Sequence, residues 1–207
     1  MEQRSADWFA ARLGKVTASK IADVTAKTKT GWGAGRANYR AQLVAERLTG
    51  QQQDSFTNSA MQWGIDTEDQ ARTAYAFLHG QSVVEEAFVI HPRIAMAGAS
   101  PDGLVGDVGL VEIKCPASAT HIETLKGQAI PAKYIGQMDW QMACTGRHWC
   151  DFVSFDPRMP EDMQLFVQRH HRDDARIGEL ETLVTEFLAE VDADVAALTA
   201  IYRKEAA

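Results

Sequence analysis

Cysteine is scarce in this chain. Cys115, Cys144 and Cys150 form no even framework and no Cys-x-x-Cys pair. That excludes a disulfide scaffold and fits a reducing cytoplasm, where the protein is expected to reside. No apolar run approaches bilayer length, so no membrane segment is expected. The opening Met-Glu-Gln-Arg-Ser-Ala-Asp has no apolar core and does not read as a signal peptide. Gly31-Trp32-Gly33-Ala34-Gly35 lacks the Gly-Lys-Ser/Thr ending of a phosphate-cradling P-loop. There is no Gly-x-Ser-x-Gly elbow, and no Cys/His pairing stands out for nucleophilic chemistry. Cys144, His148 and Cys150 offer three zinc-type donors without a fourth. Repeats and linkers are also missing. The 207 residues therefore read as one domain, 1–207, long enough for a substantial core.

Net positive charge is lacking too: the formal charge is −7. A nucleic-acid partner ordinarily calls for a basic face. The two signs are nevertheless segregated along the chain. Arg4, Arg12, Lys15, Lys20, Lys27, Lys29, Arg36, Arg40 and Arg47 precede residue 50, whereas Glu179 to Asp194 is strongly acidic. The basic side is expected to be N-terminal, with the acidic remainder repelling DNA from other surfaces.

What is present centres on Ser100-Pro101-Asp102-Gly103-Leu104 and Leu110-Val111-Glu112-Ile113-Lys114-Cys115-Pro116. In a strand, residues i and i+2 share a face, so Glu112 and Lys114 point together. Leu110, Val111 and Ile113 are left for the core. Gly106-Asp107-Val108-Gly109 reads as a hairpin turn that folds Asp102 back beside Glu112. Two carboxylates and an ammonium at one sheet end can hold Mg²⁺ and steady an activated water.

The rest of the chain supplies the frame. A short helix is expected over 5–13, with Ser5 as N-cap, Trp8 or Phe9 buried, and Gly14 as its stop. Thr17 caps a second helix, and capping is the reading that local sequence favours for Thr17 and Ser19; the alternative is phosphate binding, since a helix N-terminus with hydroxyls and Arg12 nearby suits an anion. Lys27 to Asn38 reads as a mobile surface loop: either a connector, or a DNA contact using Lys27, Lys29, Arg36 and Trp32. Amphipathic helices follow over 39–48 and 59–79, separated by a polar loop over 51–55, and each is ended by a glycine. The second takes Met61, Ile65, Ala71, Ala74, Tyr75 and Leu78 as its apolar set. Its Glu68 has a bland reading as a solvated acid or a partner of Arg72. Strands are expected over 83–90, 94–98, 104–105, 110–114, 149–155 and 164–168. The helix over 132–145 carries Tyr134, Gln137 and Gln141 on one stripe, which is either exposed or turned to the carboxylates. His170-His171 reads as a surface pair. One long helix or two shorter ones complete the chain from Asp173 to Lys204.

In order, Arg12-Leu13-Gly14 with Thr17-Ala18-Ser19, Trp63-Gly64 with Glu68, Ser100 to Leu104, Glu112 to Pro116, Tyr134 with Gln137, and Asp156-Pro157-Arg158-Met159 run through the sequence. Together they make the chain resemble the YqaJ-type viral alkaline exonucleases, the lambda-exonuclease-like family of the PD-(D/E)xK nuclease superfamily. The resemblance implies an α/β fold, a PD-(D/E)xK nuclease-like core with a mixed central β-sheet flanked by α-helices. It implies Mg²⁺ at one or two positions, with Mn²⁺ able to substitute. Asp102 and Glu112 match the metal-binding carboxylates, the Ile113 carbonyl a further ligand, Glu68 another active-site acid and Lys114 the catalytic lysine. Arg12, Thr17 and Ser19 match a 5′-phosphate pocket, with Lys29, Trp8 and Met61 counted among the DNA contacts. Tyr134, Gln137 and Gln141 support the site.

The family implies a toroidal homotrimer on double-stranded DNA ends. It implies 5′→3′ degradation of one strand to mononucleotides and a single-strand annealing recombinase as partner. The chain departs from the pattern at two contacts. Lys29 falls near a family arginine and Met61 near a leucine, exchanges that weaken directional phosphate binding and add flexibility. Outside the exonuclease class, a non-catalytic DNA-end clamp or a site-specific endonuclease on the same fold would share these residues.

Overall fold

The computed structural model describes residues 2–53 and 58–203. In chain order its elements are α1 (Ala6–Arg12), β1 (Val16–Thr17), α2 (Ile21–Thr25), β2 (Lys27–Thr28), β3 (Gly31–Trp32), α3 (Ala34–Thr49) and α4 (Ser59–His79). There follow β4 (Val83–Val84), β5 (Val89–Ile90), β6 (Ala97–Ala99), β7 (Gly103–Val105), β8 (Gly109–Lys114), α5 (Ser118–Gly127) and α6 (Ile135–Thr145). The last are β9 (Trp149–Phe155), β10 (Leu165–His171) and α7 (Asp174–Tyr202). Short 3₁₀ turns over Ala18–Lys20 and Ala132–Tyr134 lead into α2 and α6. The polar loop expected over 51–55 and the end of the helix expected to reach Lys204 lie partly outside the described residues.

A mixed five-stranded sheet in the order β10-β9-β8-β7-β4 carries the structure. Its centre, β8, runs antiparallel to β7 and parallel to β9. A parallel pair needs a crossover, and α5 and α6 provide it. Helices cover both faces, so β8 is buried along nearly its whole length. Val111, Ile113, Val153 and Phe155 turn to Ala71 and Tyr75 of α4. Leu110, Cys150 and Phe152 turn to Met138 and Met142 of α6. A second core joins a small sheet, β1-β6-β5, to α2, α3, α6 and α7 around Leu43, Trp140 and Phe187.

Local chemistry explains the boundaries. Ser5 caps α1 by accepting from the Trp8 N–H at 3.3 Å, and Asn58 caps α4 through Met61 N–H at 2.9 Å. Gly50 and Gly80 end α3 and α4 in left-handed backbone, at φ +67° and +60°. Gly103 is needed for another reason. A Cβ there would lie 2.2 Å from Val83 Cγ1, so only glycine lets β4 approach β7.

Several expectations are revised. The strand read over 83–90 is two short strands in different sheets, because β4 pairs with β7 while β5 pairs with β6. The strand placed over 94–98 is β6, at Ala97–Ala99. The loop read over 27–38 is a β2-β3 hairpin leading into α3. Trp32 packs there between Lys27 and Arg36, with the cations 4.9 and 4.1 Å from its ring. Met61, Ile65 and Leu78 of α4 are exposed; only Ala71 and Tyr75 of the expected apolar set are fully buried. Thr17 occupies a cap position but makes no side-chain cap bond. Phe9 is exposed and Trp8 half-buried. His170 and His171 lie within β10, and His170 is an anchor, bonded to Asp139 of α6 at 2.7 Å.

The charge segregation is partly cancelled by packing. α7 lies on α3, where Glu190 accepts from Arg36 at 2.6 Å and Arg40 at 2.9 Å. Asp192 pairs with Arg47 and Asp194 with Arg40. Arg36 is only 3% exposed and therefore cannot reach a DNA phosphate.

Candidate active site

Glu112 lies on the α6-facing side of β8 and is fully buried. Burying an isolated carboxylate costs several kcal/mol, so it must be paired and hydrogen-bonded. Three donors meet it. Gln137 Nε2 donates to Oε1 at 2.6 Å, Gln141 Nε2 donates to Oε2, and Lys114 Nζ pairs with Oε1. The polar stripe of α6 is thus turned to the carboxylate. The Gln141 amide is oriented from its other side by Cys150, whose Sγ donates to Oε1 at 3.8 Å. Tyr134 stacks on Phe152 at 5.3 Å and stands 5.4 Å from the Lys114 ammonium.

Asp102 reaches the same end of the sheet from the turn before β7. Its Oδ2 accepts the Ile113 N–H at 2.7 Å, which locks the two motifs together across the hairpin. Burial first, and then the Glu112 carboxylate, raise the Asp102 pKa, with Lys114 opposing. Burial works against the Lys114 ammonium, but Glu112 and Asp102 outweigh it and lift its pKa above the usual lysine range. Glu68 approaches from α4, its two oxygens accepting from Arg4 at 2.8 Å and Arg72 at 2.9 Å. Glu68, Ile113, Lys114, Cys115 and Tyr134 line a cavity of about 530 Å³.

The groups that could hold a cation here offer oxygen only: the Asp102 and Glu112 carboxylates, and the backbone carbonyl of Ile113 next to Glu112. Among the described residues no three acidic, His or Cys side chains converge to cage an ion by themselves. Such a set fits Mg²⁺, which keeps several waters and uses one or two carboxylates. It does not fit a structural zinc. Cys144 and Cys150 are free, buried thiols held well above their usual pKa by burial.

A second cavity of about 380 Å³ adjoins the first, and Arg4, Met61 and Ile65 border both. Trp8, Arg12, Thr17 and Ser19 line it, so five of the six expected phosphate and DNA contacts come together there. Lys29 is the exception; it sits exposed at the tip of the β2-β3 hairpin. Arg12 lies 4.0 Å over the Trp8 ring and donates to Ser100 Oγ at 2.9 Å. Trp8 Nε1 donates to the same hydroxyl at 2.9 Å and to the Ala87 carbonyl at 2.8 Å. Burial holds the Arg12 guanidinium down to about 10, against the pull of Tyr39 and Glu46. A half-buried cation salt-bridged to no carboxylate among the described residues is a ready anion site.

The family model for the YqaJ-like viral recombinase domain matches residues 7–148. The chain belongs to that family. It is similar to an alkaline exonuclease from Laribacter hongkongensis at 54% identity, covering 98% of this chain and 100% of that one, with a TM-score of 0.91. The same figures hold for a structure of that exonuclease in complex with dAMP. A phage-related exonuclease from Haemophilus somnus shares the fold at 14% identity, with a TM-score of 0.69 over 89% of this chain and 96% of that one. No curated protein sequence matches.

Some of the residues that build this YqaJ-like site were not legible in sequence. Ser100 belongs to the Ser-Pro-Asp motif, yet it also anchors Arg12 and Trp8, so one motif serves both cavities. Arg72 pairs with Glu68, as the i,i+4 spacing allowed, and also donates to the Asp102 carbonyl at 3.1 Å, a bond that ties α4 to the turn before β7. Asp139, buried on α6, accepts from His170 Nε2 at 2.7 Å and from Arg176 Nη2 at 3.4 Å. That fixes the helix that presents Gln137 and Gln141. The only sequence signal for it was an acid on a helix otherwise destined for the core.

Proposed function

We propose that this protein is a Mg²⁺-dependent 5′→3′ exodeoxyribonuclease that degrades one strand of linear duplex DNA. The observation that carries the reading is the pairing of two sites. Lys114, paired with the buried, triply bonded Glu112, lines one cavity together with Ile113 and Glu68, and an anion pocket around Arg12 adjoins it. Asp102, Glu112 and the Ile113 carbonyl would hold one or two Mg²⁺, with Glu68 nearby and Mn²⁺ able to substitute. When bound, the cation neutralises phosphate charge and lowers the pKa of a water nucleophile. Gln137 and Gln141 hold the Glu112 carboxylate in one orientation. Lys114 Nζ pairs with Glu112 Oε1 and lines the cavity, a position from which its ammonium would stabilise developing negative charge.

Arg12, Thr17 and Ser19 receive the 5′ phosphate, placing the next phosphodiester toward Glu112 and releasing 5′-mononucleotides. The dAMP complex of the Laribacter relative supports a mononucleotide product. The recombinase family description supports a role in making 3′ overhangs for strand annealing, with a single-strand annealing protein as partner. We read the working assembly as a homotrimer around duplex DNA in the cytoplasm; among the described residues no helix is long and apolar enough to cross a membrane.

The test is digestion of a linear duplex labelled at one 5′ end, with and without 5′ phosphate, in magnesium and in EDTA. Release of labelled mononucleotide only in magnesium, with closed circular plasmid untouched, is the expected result. Binding without cutting would favour a clamp, and plasmid cleavage an endonuclease.

A further inference from the structure

We propose that Arg4 is a phosphodiester-binding residue, gripping the DNA backbone between the 5′-phosphate pocket and the carboxylate site. The proposal rests on the nuclease reading above. Arg4 borders both cavities, the one holding Glu68 and Lys114 and the one holding Arg12. Arg4 therefore stands on the border that a strand seated at Arg12 and running toward Lys114 would cross.

Three observations show that Arg4 is presented there and is free to bind. Its side chain is 43% exposed and makes one hydrogen bond among the described residues, from Nη2 to Glu68 at 2.8 Å. Glu68 is also neutralised by Arg72 at 2.9 Å and so does not depend on Arg4. Most telling is the backbone. Arg4 sits at φ +66°, a left-handed conformation unfavourable for any residue with a Cβ.

Its neighbours hold it in that state. Gln3 Nε2 donates to the Glu86 carbonyl at 2.7 Å and the Pro101 carbonyl at 2.9 Å, and Ser5 caps α1. Pro101 directly precedes Asp102, so the base of Arg4 is fixed to the catalytic motif itself. A strained residue clamped on both sides and aimed into a cleft points to ligand binding. A folding role would not require arginine at a glycine-type position.

Arg4→Gly separates the two roles, because glycine adopts this φ freely. Its melting temperature is expected to be unchanged or higher. Its affinity for a linear duplex in EDTA is expected to fall about ten-fold, the usual scale for one charge-assisted contact. The slope of log K against log salt should become shallower by about 0.9, one phosphate contact fewer. Arg4→Lys should restore the slope but only part of the affinity, since lysine lacks the guanidinium fork. The loss should be equal on 5′-phosphorylated and 5′-hydroxyl ends. Unchanged affinity and slope in Arg4→Gly would overturn the proposal, and so would a loss confined to phosphorylated ends, which would put Arg4 in the terminal pocket. If the parental protein cuts no duplex in magnesium, it is the nuclease reading that fails, independently of these binding arms.

Discussion

Replacing Gln141 with leucine removes one of the three donors that make Glu112 tolerable in a fully buried position. Gln137 and Lys114 remain, but Oε2 loses the hydrogen bond that Gln141 gives it. A hydrogen bond to a charged group contributes about 1.5–3 kcal/mol net. For a domain of this size about 2–4 °C of melting temperature corresponds to each kcal/mol, so Gln141→Leu should melt about 3–12 °C lower. The carboxylate also loses its orientation, and loss of a residue that orients a metal ligand typically costs about 10–100-fold in metal affinity. Thermal melts and a magnesium titration of duplex digestion read the two effects. Gln137→Leu serves as the internal comparison: Gln137 is half-buried, so water can replace its donor and both effects should be smaller. A Gln141→Leu protein with the parental melting temperature and the parental magnesium half-saturation would refute the idea that α6 holds Glu112 in working order.

Glu112→Gln and Lys114→Ala should each abolish digestion with near-UV circular dichroism retained; robust digestion by metal-replete Glu112→Gln would end the proposed mechanism. Lys114→Ala should also lose up to about 3 kcal/mol of stability, because it strands a buried carboxylate without its cation. Arg12→Ala should lower the rate on 5′-phosphorylated ends about ten-fold while sparing 5′-hydroxyl ends, which paired initial rates will show. Asp156 supplies a pH test. Burial raises its pKa, but bonds from Arg158 and Ser118 prevail and hold it at about 2, below its ordinary 3.8. Its stabilisation is therefore fully present above about pH 4 and is lost as pH falls toward 2. With Arg158 half-exposed, the effect is about 1–2 kcal/mol. Asp156→Asn should be less stable at neutral pH and show a flatter acid limb in denaturant midpoints measured from pH 5 to 2.

How far the sequence could be read depended on whether a residue's partner was local. Glu112 and Lys114 share a face because strands alternate, a rule that needs no tertiary knowledge. The hairpin after Asp102 is a local turn, and it does return Asp102 to Ile113. Helix ends at Gly50 and Gly80 were legible for the same reason. The apolar stripe of α4 was misread because hydrophobicity alone cannot distinguish a core position from a cleft lining. Met61 and Ile65 border the two cavities. The run over 83–90 looked continuous because each piece is strand-like, yet its halves pair with strands in different sheets.

Residue types and short spacings were enough to establish that Glu112 and Lys114 share a strand face and that a hairpin returns Asp102 beside them, whereas the helix α5 over Ser118–Gly127 and the β2-β3 hairpin were not legible. Long-range packing decided the rest. α6 had to cross β8 before Gln137 and Gln141 could meet Glu112, 25 and 29 residues away. α7 had to lie on α3 before its acids could neutralise Arg36, Arg40 and Arg47. Ser100 had to reach back 88 residues before one hydroxyl could tie Arg12 to the Ser-Pro-Asp motif. Hydrogen bonds and ion pairs act over about 3 Å of space with no regard to chain distance, so which partners meet is a property of the folded chain alone.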